Sequence, residues 1–413
     1  FDFAALSGLD SGAAKGEPLM VAVIWFVSEI FGGSHATAGV VLAVSPVIAA
    51  VVVGILLYLL VVRLTGDRHV GLAAVVMLAV LPDHALRTAV GFADHHAFDY
   101  LMLGMVLAAL TGLSRERVRG FDGATGSGEA DTPTGALAAL SDRRGLAIAV
   151  LFGVALFGQV FAWRGSPILV APLVVYVTIL AFVDLQRDVG PLVRNRYLLV
   201  GLALSAVLSL GAFVGVGWGS TFHGFLPGTI FLGAVAVFGT GEVVHRLDLS
   251  RTVAAASSAA TMALVAGAFW LGTSIFDRLV DRGGSWVMGA IGRNTAGTNP
   301  LFSSYFGTVF GPLFMFGFVL LIAVPVVVWI TVGALRGERA EWLAPAVYFW
   351  YLLGWTTVFV RFGGSLAVAA APFAGYAFVF LPAKIEAVRR PVVSYDSLPA
   401  GPRGLDDLSG SAA

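Results

Sequence analysis

Gly91-Phe92-Ala93-Asp94-His95-His96-Ala97-Phe98-Asp99-Tyr100 lies between two hydrophobic runs, residues 70–81 and 101–113. Apolar runs on both sides put one acid and two histidines at the mouth of a membrane-embedded bundle. Ionisable groups at such depth are costly, so they read as a functional site. Asp94 and His96, spaced Asp-x-His, suit a divalent cation. The carboxylate brings charge and a neutral imidazole brings a nitrogen lone pair. The alternative is that the acid and the histidines only mark a wet interfacial loop.

Composition points the same way. The 413 residues are 58% hydrophobic and 12% charged, with a mean hydropathy of +0.89. Soluble domains carry about 25% charged residues. The chain therefore reads as all-α, a polytopic membrane helix bundle with no soluble domain. Zero net charge gives no basic surface for nucleic acid, and the lack of cysteine excludes disulfides and thiol chemistry. The sequence opens on Phe1 with no signal-peptide pattern ahead of the first hydrophobic run, which suggests a processed start or a fragment.

Outward from the decapeptide, the apolar runs predict about 11 spans: 40–62, 70–90, 97–113, 146–163, 167–183, 198–218, 225–244, 253–273, 311–333, 343–360 and 364–382. Ahead of them, residues 19–31 are too short to cross a core of roughly 30 Å and read as an interfacial or re-entrant helix. The domain plan is an external loop with that helix at 1–38, the transmembrane bundle at 39–383 and a disordered cytoplasmic tail at 384–413. Gly-, Ser- and acid-rich residues 120–134 read as a disordered cytoplasmic insert. Residues 273–310 form a long external loop of the kind that carries function or is a linker.

Loop charge sets the orientation. Arg63, Arg68, Arg115, Arg117, Arg143, Arg144, Arg187, Arg194, Arg246 and Arg336 fall on one set of loops, which the positive-inside rule makes cytoplasmic. Asp94 and Arg361 then lie on the extracytoplasmic face. An arginine there runs against the trend and calls for an anion. A lipid phosphate matches its planar fork, although a snorkelling arginine reads equally well. Trp163-Arg164-Gly165, on the same face, is either an aromatic-belt anchor or a flank of the same cavity. His223 reads as a solvated loop histidine, with a place in a polar mouth as the alternative. Gly201, Gly211, Gly215, Gly217 and Gly219 suit close helix packing.

The run Arg63-Leu64-Thr65-Gly66-Asp67-Arg68, then Leu81-Pro82, then Arg87 to His96, resembles the archaeal oligosaccharyltransferase catalytic subunit, closest to the haloarchaeal form. Asn299-Pro300-Leu301-Phe302 and Val360-Arg361-Phe362 resemble two later stretches of the same family. The resemblance implies a GT-C-like transmembrane domain. It implies transfer of an oligosaccharide from a dolichyl phosphate carrier to Asn of an N-x-S/T sequon, assisted by Mn2+ or Mg2+. It implies that Asp94 and His96 are catalytic metal ligands and that Arg361 grips the lipid-linked phosphate. Partners would be the lipid-linked oligosaccharide, the acceptor protein and membrane lipid.

The family also carries a first acidic motif, a loop glutamate where this chain has Gly297, and a W-W-D domain. Their absence here predicts a truncated or degenerate enzyme. A non-catalytic paralogue binding polyprenyl-phosphate lipid and a secondary transporter are the other readings. A transporter calls for repeated halves and a broken charged helix at mid-membrane, and neither is visible.

Overall fold

The computed structural model describes residues 16–124, 142–248, 296–336 and 338–384, with 256 and 260. Regular structure among the described residues is entirely helical. α1 is Pro18–Ile30, α2 His35–Thr65, α3 Arg68–Ala79, α4 Pro82–Arg87 and α5 His96–Ala124. α6 is Arg143–Phe161, α7 Pro172–Gln186, α8 Arg196–Gly211 and α9 Thr221–Arg246. α10 is Gly311–Phe316, α11 Val319–Leu335, α12 Leu343–Val358 and α13 Gly363–Lys384.

Among the described residues, seven helical stretches are long and apolar enough to cross a membrane, or eight if one bent pair is a single span. α2, with 31 residues, extends about 46 Å at 1.5 Å per residue, more than a hydrocarbon core of about 30 Å. Several of the eleven expected spans differ. Residues 70–90 break into α3 and α4, because Pro82 opens a new helix and its ring cannot continue the old one. Residues 343–360 give α12, which stops at Val358 after 16 residues. The run 311–333 is bent by 90° between 308–316 and α11. Gly317 makes the break at φ 55°, ψ −143°, a conformation open essentially to glycine. The expected span 253–273 apart from residues 256 and 260, most of the loop 273–310, all of the insert 120–134 beyond Ala124 and the tail from 385 lie outside the described residues. The first five residues of that insert continue α5.

The helices neighbour one another in a closed circuit: α13 on α3, then α2, α5, α6, α8, α9, α7, α12 and back to α13. α5 and α13 are the most enclosed, with 83% and 72% of their most apolar windows buried. Glycine allows the closest approaches. A Cβ on Gly153 would stand 2.7 Å from the Gly201 carbonyl, and one on Gly201 would stand 2.7 Å from that of Ala149, so α6 and α8 meet nearly backbone to backbone. The same expectation does not hold for Gly211, Gly215 and Gly217, whose Cβ positions meet nothing. Gly217 instead supplies a left-handed turn at φ 75°.

At the far end of α5 from His96, Arg117 forms a buried ion pair with Asp184 of α7. Asp184 also accepts from Asn195 Nδ2 at 2.9 Å and lies 3.6 Å from Arg194 Nε. Several partners are what a buried carboxylate needs to offset its lost hydration.

Candidate functional site

α4 and the start of α5 build the site. Asp83 and Arg87 stand one turn apart on α4, and Arg87 Nε donates to Asp83 Oδ1 at 2.9 Å. The chain then turns at Gly91, whose φ of +83° favours glycine. The Gly91 N–H donates to the Ala43 carbonyl of α2 at 2.9 Å, which ties the turn to the bundle. Residues 92–95 follow without helix, and α5 begins at His96.

Asp94 divides its two oxygens between the histidines. Oδ1 accepts the His95 backbone N–H at 2.7 Å and lies 2.5 Å from His95 Nδ1. Oδ2 faces His96 Nε2 at 3.6 Å. His95 Nδ1 also meets Glu17 Oε1 at 2.9 Å. Burial pushes the Asp94 carboxyl up, but the His95 hydrogen bonds and the facing charges of His95 and His96 outweigh it and hold the group well below the usual carboxylate range. Burial likewise pushes His95 down, yet its bonds to Asp94 and Glu17 and the charge of Asp99 carry it up to about 9. His84, buried without a charged partner, is pushed down to about 4.

One ligand atom from each of Asp94, His95 and His96 lies within 4.8 Å of the others. A carboxylate with imidazole is a donor set suited to a divalent first-row ion. Two ligands each about 2.1 Å from one ion, at right angles or somewhat wider, stand about 3.0–3.6 Å apart. The 3.6 Å between Asp94 Oδ2 and His96 Nε2 fits that spacing.

Trp163 joins Arg361 to this cluster. Its ring stacks on His95 with centroids 4.4 Å apart and 21° between planes. The Arg361 guanidinium carbon lies 4.5 Å from the same ring. Asp99, fully enclosed, fixes the turn that carries Trp163. It accepts from Gln159 Nε2 at 3.0 Å and from Ser166 Oγ at 2.8 Å, and Ser166 Oγ in turn accepts the Trp163 N–H at 3.1 Å. Arg361 itself lies on a single 3-10 turn, Val360–Phe362, leading into α13.

The structure thus gathers Asp94, His96 and Arg361 at one end of the bundle. It also adds residues to which sequence reasoning assigned no role: Glu17, Asp83, Arg87 and Asp99. An acid and a base spaced i, i+4 in Pro82–Arg87 was the available signal for the second and third. Trp163 flanks the cluster, one of its two expected readings. His223 is not solvated. It is buried at the start of α9, where Nδ1 meets Ser220 Oγ at 2.9 Å and Nε2 meets the Arg164 carbonyl at 3.2 Å. Beside the cluster is a cavity of about 760 Å³ lined by Asp83, Leu86, Arg87, Gly297, Tyr305, Phe306, Phe314, Met315 and Val360, among others.

An all-α bundle of apolar helices with an acid, two histidines and an arginine brought to one end is a polytopic membrane protein whose ionisable groups gather at a single site. The family described as Oligosaccharyl transferase STT3, N-terminal, matches residues 12–381, and the chain belongs to it. Among solved structures, the Archaeoglobus fulgidus oligosaccharyltransferase AglB, in complex with an inhibitory peptide and a dolichol-phosphate, is similar at 20% identity. Its TM-score is 0.72, over 92% of this chain and 45% of that one. The apo form of the A. fulgidus enzyme gives a TM-score of 0.71 at 18% identity, over 92% and 45%. A complex of it with Zn and sulfate gives 0.63 at 18% identity, over 90% and 41%. The chain spans less than half the length of these structures. No curated protein matches.

Proposed function

We propose that this chain is the membrane part of an oligosaccharyltransferase, working at the extracytoplasmic face of the cell membrane. It moves an oligosaccharide from a dolichyl phosphate carrier to the Asn side chain of an N-x-S/T sequon in an acceptor protein. The reading rests on family membership and on one observation: Arg361, distant in sequence from Asp94 and His96, is joined to their cluster through Trp163, whose ring it shares with His95.

In this reaction the bond from the sugar to phosphate breaks, a bond to the amide nitrogen forms, and the proton that the amide nitrogen loses passes to solvent. Negative charge grows on the departing phosphate. Asp94 and His96 would hold a divalent cation, and such an ion, when bound, would offset that charge. The donor set suits Mn2+ better than Mg2+, which prefers oxygen alone. Arg361 presents its fork to phosphate oxygens, and the Trp163 face holds the guanidinium there. His95 orients Asp94 by taking Oδ1, which leaves Oδ2 for the cation. Glu17 and Asp94 together keep His95 protonated for that task.

A second reading, binding of a polyprenyl-phosphate lipid without transfer, is favoured by Gly297. That position borders the cavity without contributing a carboxylate. Membranes containing the protein, given a sequon peptide and lipid-linked sugar with and without EDTA, separate the two. Turnover that EDTA abolishes, and that Asp94→Ala and His96→Ala each remove, supports transfer. Lipid binding without turnover supports the second reading. Turnover retained by both variants overturns the site assignment.

A further inference from the structure

Arg87 sits where two demands on His96 collide. Its Nη1 lies 2.5 Å from His96 Nε2, so with His96 neutral the arginine donates to the lone pair of Nε2. That nitrogen is also the one facing Asp94 Oδ2. An imidazole nitrogen has one in-plane lone pair and gives it either to a hydrogen or to a cation. Asp83 fixes the guanidinium from its other side through Nε.

We propose that Arg87, held by Asp83, is a positioning residue that competes with the divalent cation for His96 Nε2 and so sets how tightly the site takes its metal. The inference rests on the cation reading given above. Arg87 lowers cation affinity in two ways, by occupying the lone pair and by placing a positive charge against the site. Asp83 moderates both. Its carboxylate draws the guanidinium toward α4 and offsets its charge. The guanidinium released from His96 stays in the wall of the cavity, where Arg87 already lies. Its freed Nη1 can then donate to an oxygen held there.

The two members of one ion pair therefore act on metal affinity with opposite signs. Mn2+ titration of the purified full chain in detergent, with free ion followed by electron paramagnetic resonance, reads this without any assay of turnover. Arg87→Gln is expected to bind Mn2+ at least about tenfold more tightly than wild type, the scale of one lost hydrogen bond to a charged group. Asp83→Asn is expected to bind it several-fold more weakly. Arg87→Met, which keeps the stem and drops the donors, replaces a glutamine variant that does not fold. A merely structural role for the pair would weaken binding in both variants, and that result overturns the proposal while leaving the metal site intact. Wild type that binds no Mn2+ beyond an Asp94→Ala control overturns both this proposal and the cation reading beneath it.

Discussion

The guanidinium of Arg361 lies 4.5 Å from the centre of the Trp163 ring, and the same ring stacks on His95. A single indole thus connects the turn before α13 to the acid and histidines before α5. Removing it separates Arg361 from the cluster of Asp94 and His96 without altering any of the three.

That relationship gives a first expectation. Trp163→Ala should weaken binding of a dolichyl phosphate by about 3- to 30-fold, the range for a cation–π contact that is partly desolvated. Trp163→Phe should lose less. Arg361→Lys should lose more than Trp163→Phe, because a point charge cannot reproduce the fork. Binding of a fluorescent dolichyl phosphate analogue measures all three. Equal affinity in wild type and Trp163→Ala would detach Arg361 from lipid recognition.

His95 makes stability depend on pH. Its folded value is raised from 6.5 to about 9, so the protonated form is bound more tightly in the native state. The stability it contributes is fully present below about pH 6.5 and is lost as pH rises through about 9. In the presence of chelator, the melting temperature of wild type should therefore fall between pH 7 and 10 relative to His95→Gln. Glu17→Gln should flatten the difference, since Glu17 is one of the groups raising the value. Parallel pH profiles for wild type and His95→Gln would refute this.

Gly364 is expected to tolerate no methyl group. A Cβ there would fall on the Tyr100 hydroxyl, and Tyr100 is fully buried in α5. Gly364→Ala should destabilise by about 1–3 kcal/mol through overpacking. Tyr100→Phe removes the obstructing oxygen and should restore part of the loss. Thermal unfolding of the two single variants and the double variant in detergent tests the coupling.

The opposite end of the bundle should be separable from the site. Asp184→Asn strips a buried carboxylate from Arg117 and Arg194 and should cost about 3–5 kcal/mol. Arg117 lies 21 residues along α5 from His96, about 32 Å away. Mn2+ affinity of the folded fraction should therefore stay at the wild-type value. A changed affinity would mean that α5 transmits strain along its whole length.

Much of the fold was legible because long apolar runs have few alternatives. α2, α5, α6, α9 and α13 fall where hydropathy puts them. The failures share a cause. Residues 70–90 are apolar enough to cross, yet Leu81-Pro82 splits them into α3 and α4, and a sliding average blurs one proline among twenty residues. Residues 311–333 bend at Gly317, a backbone event that hydropathy does not register. At the site, Asp94 and His96 stood out because acid and imidazole are rare beside such runs. Glu17 did not, because its contact with His95 spans 78 positions and depends on α1 folding back over α2 and α6. His223 looked like a loop residue by its glycine neighbours. It is enclosed because Gly219, at φ +69°, folds the chain tightly onto it.

The right-angle elbow at Gly317 has one mechanical result. A residue without a side chain, at a dihedral pair that others avoid, is a poor lever. The 90° bend there turns α11 away from the segment that carries Phe314 and Met315, so the wall these two give the cavity does not run along the axis of α11. The chamber and Arg87 beside it therefore stand off to one side of the membrane-crossing stretch and not in line with it.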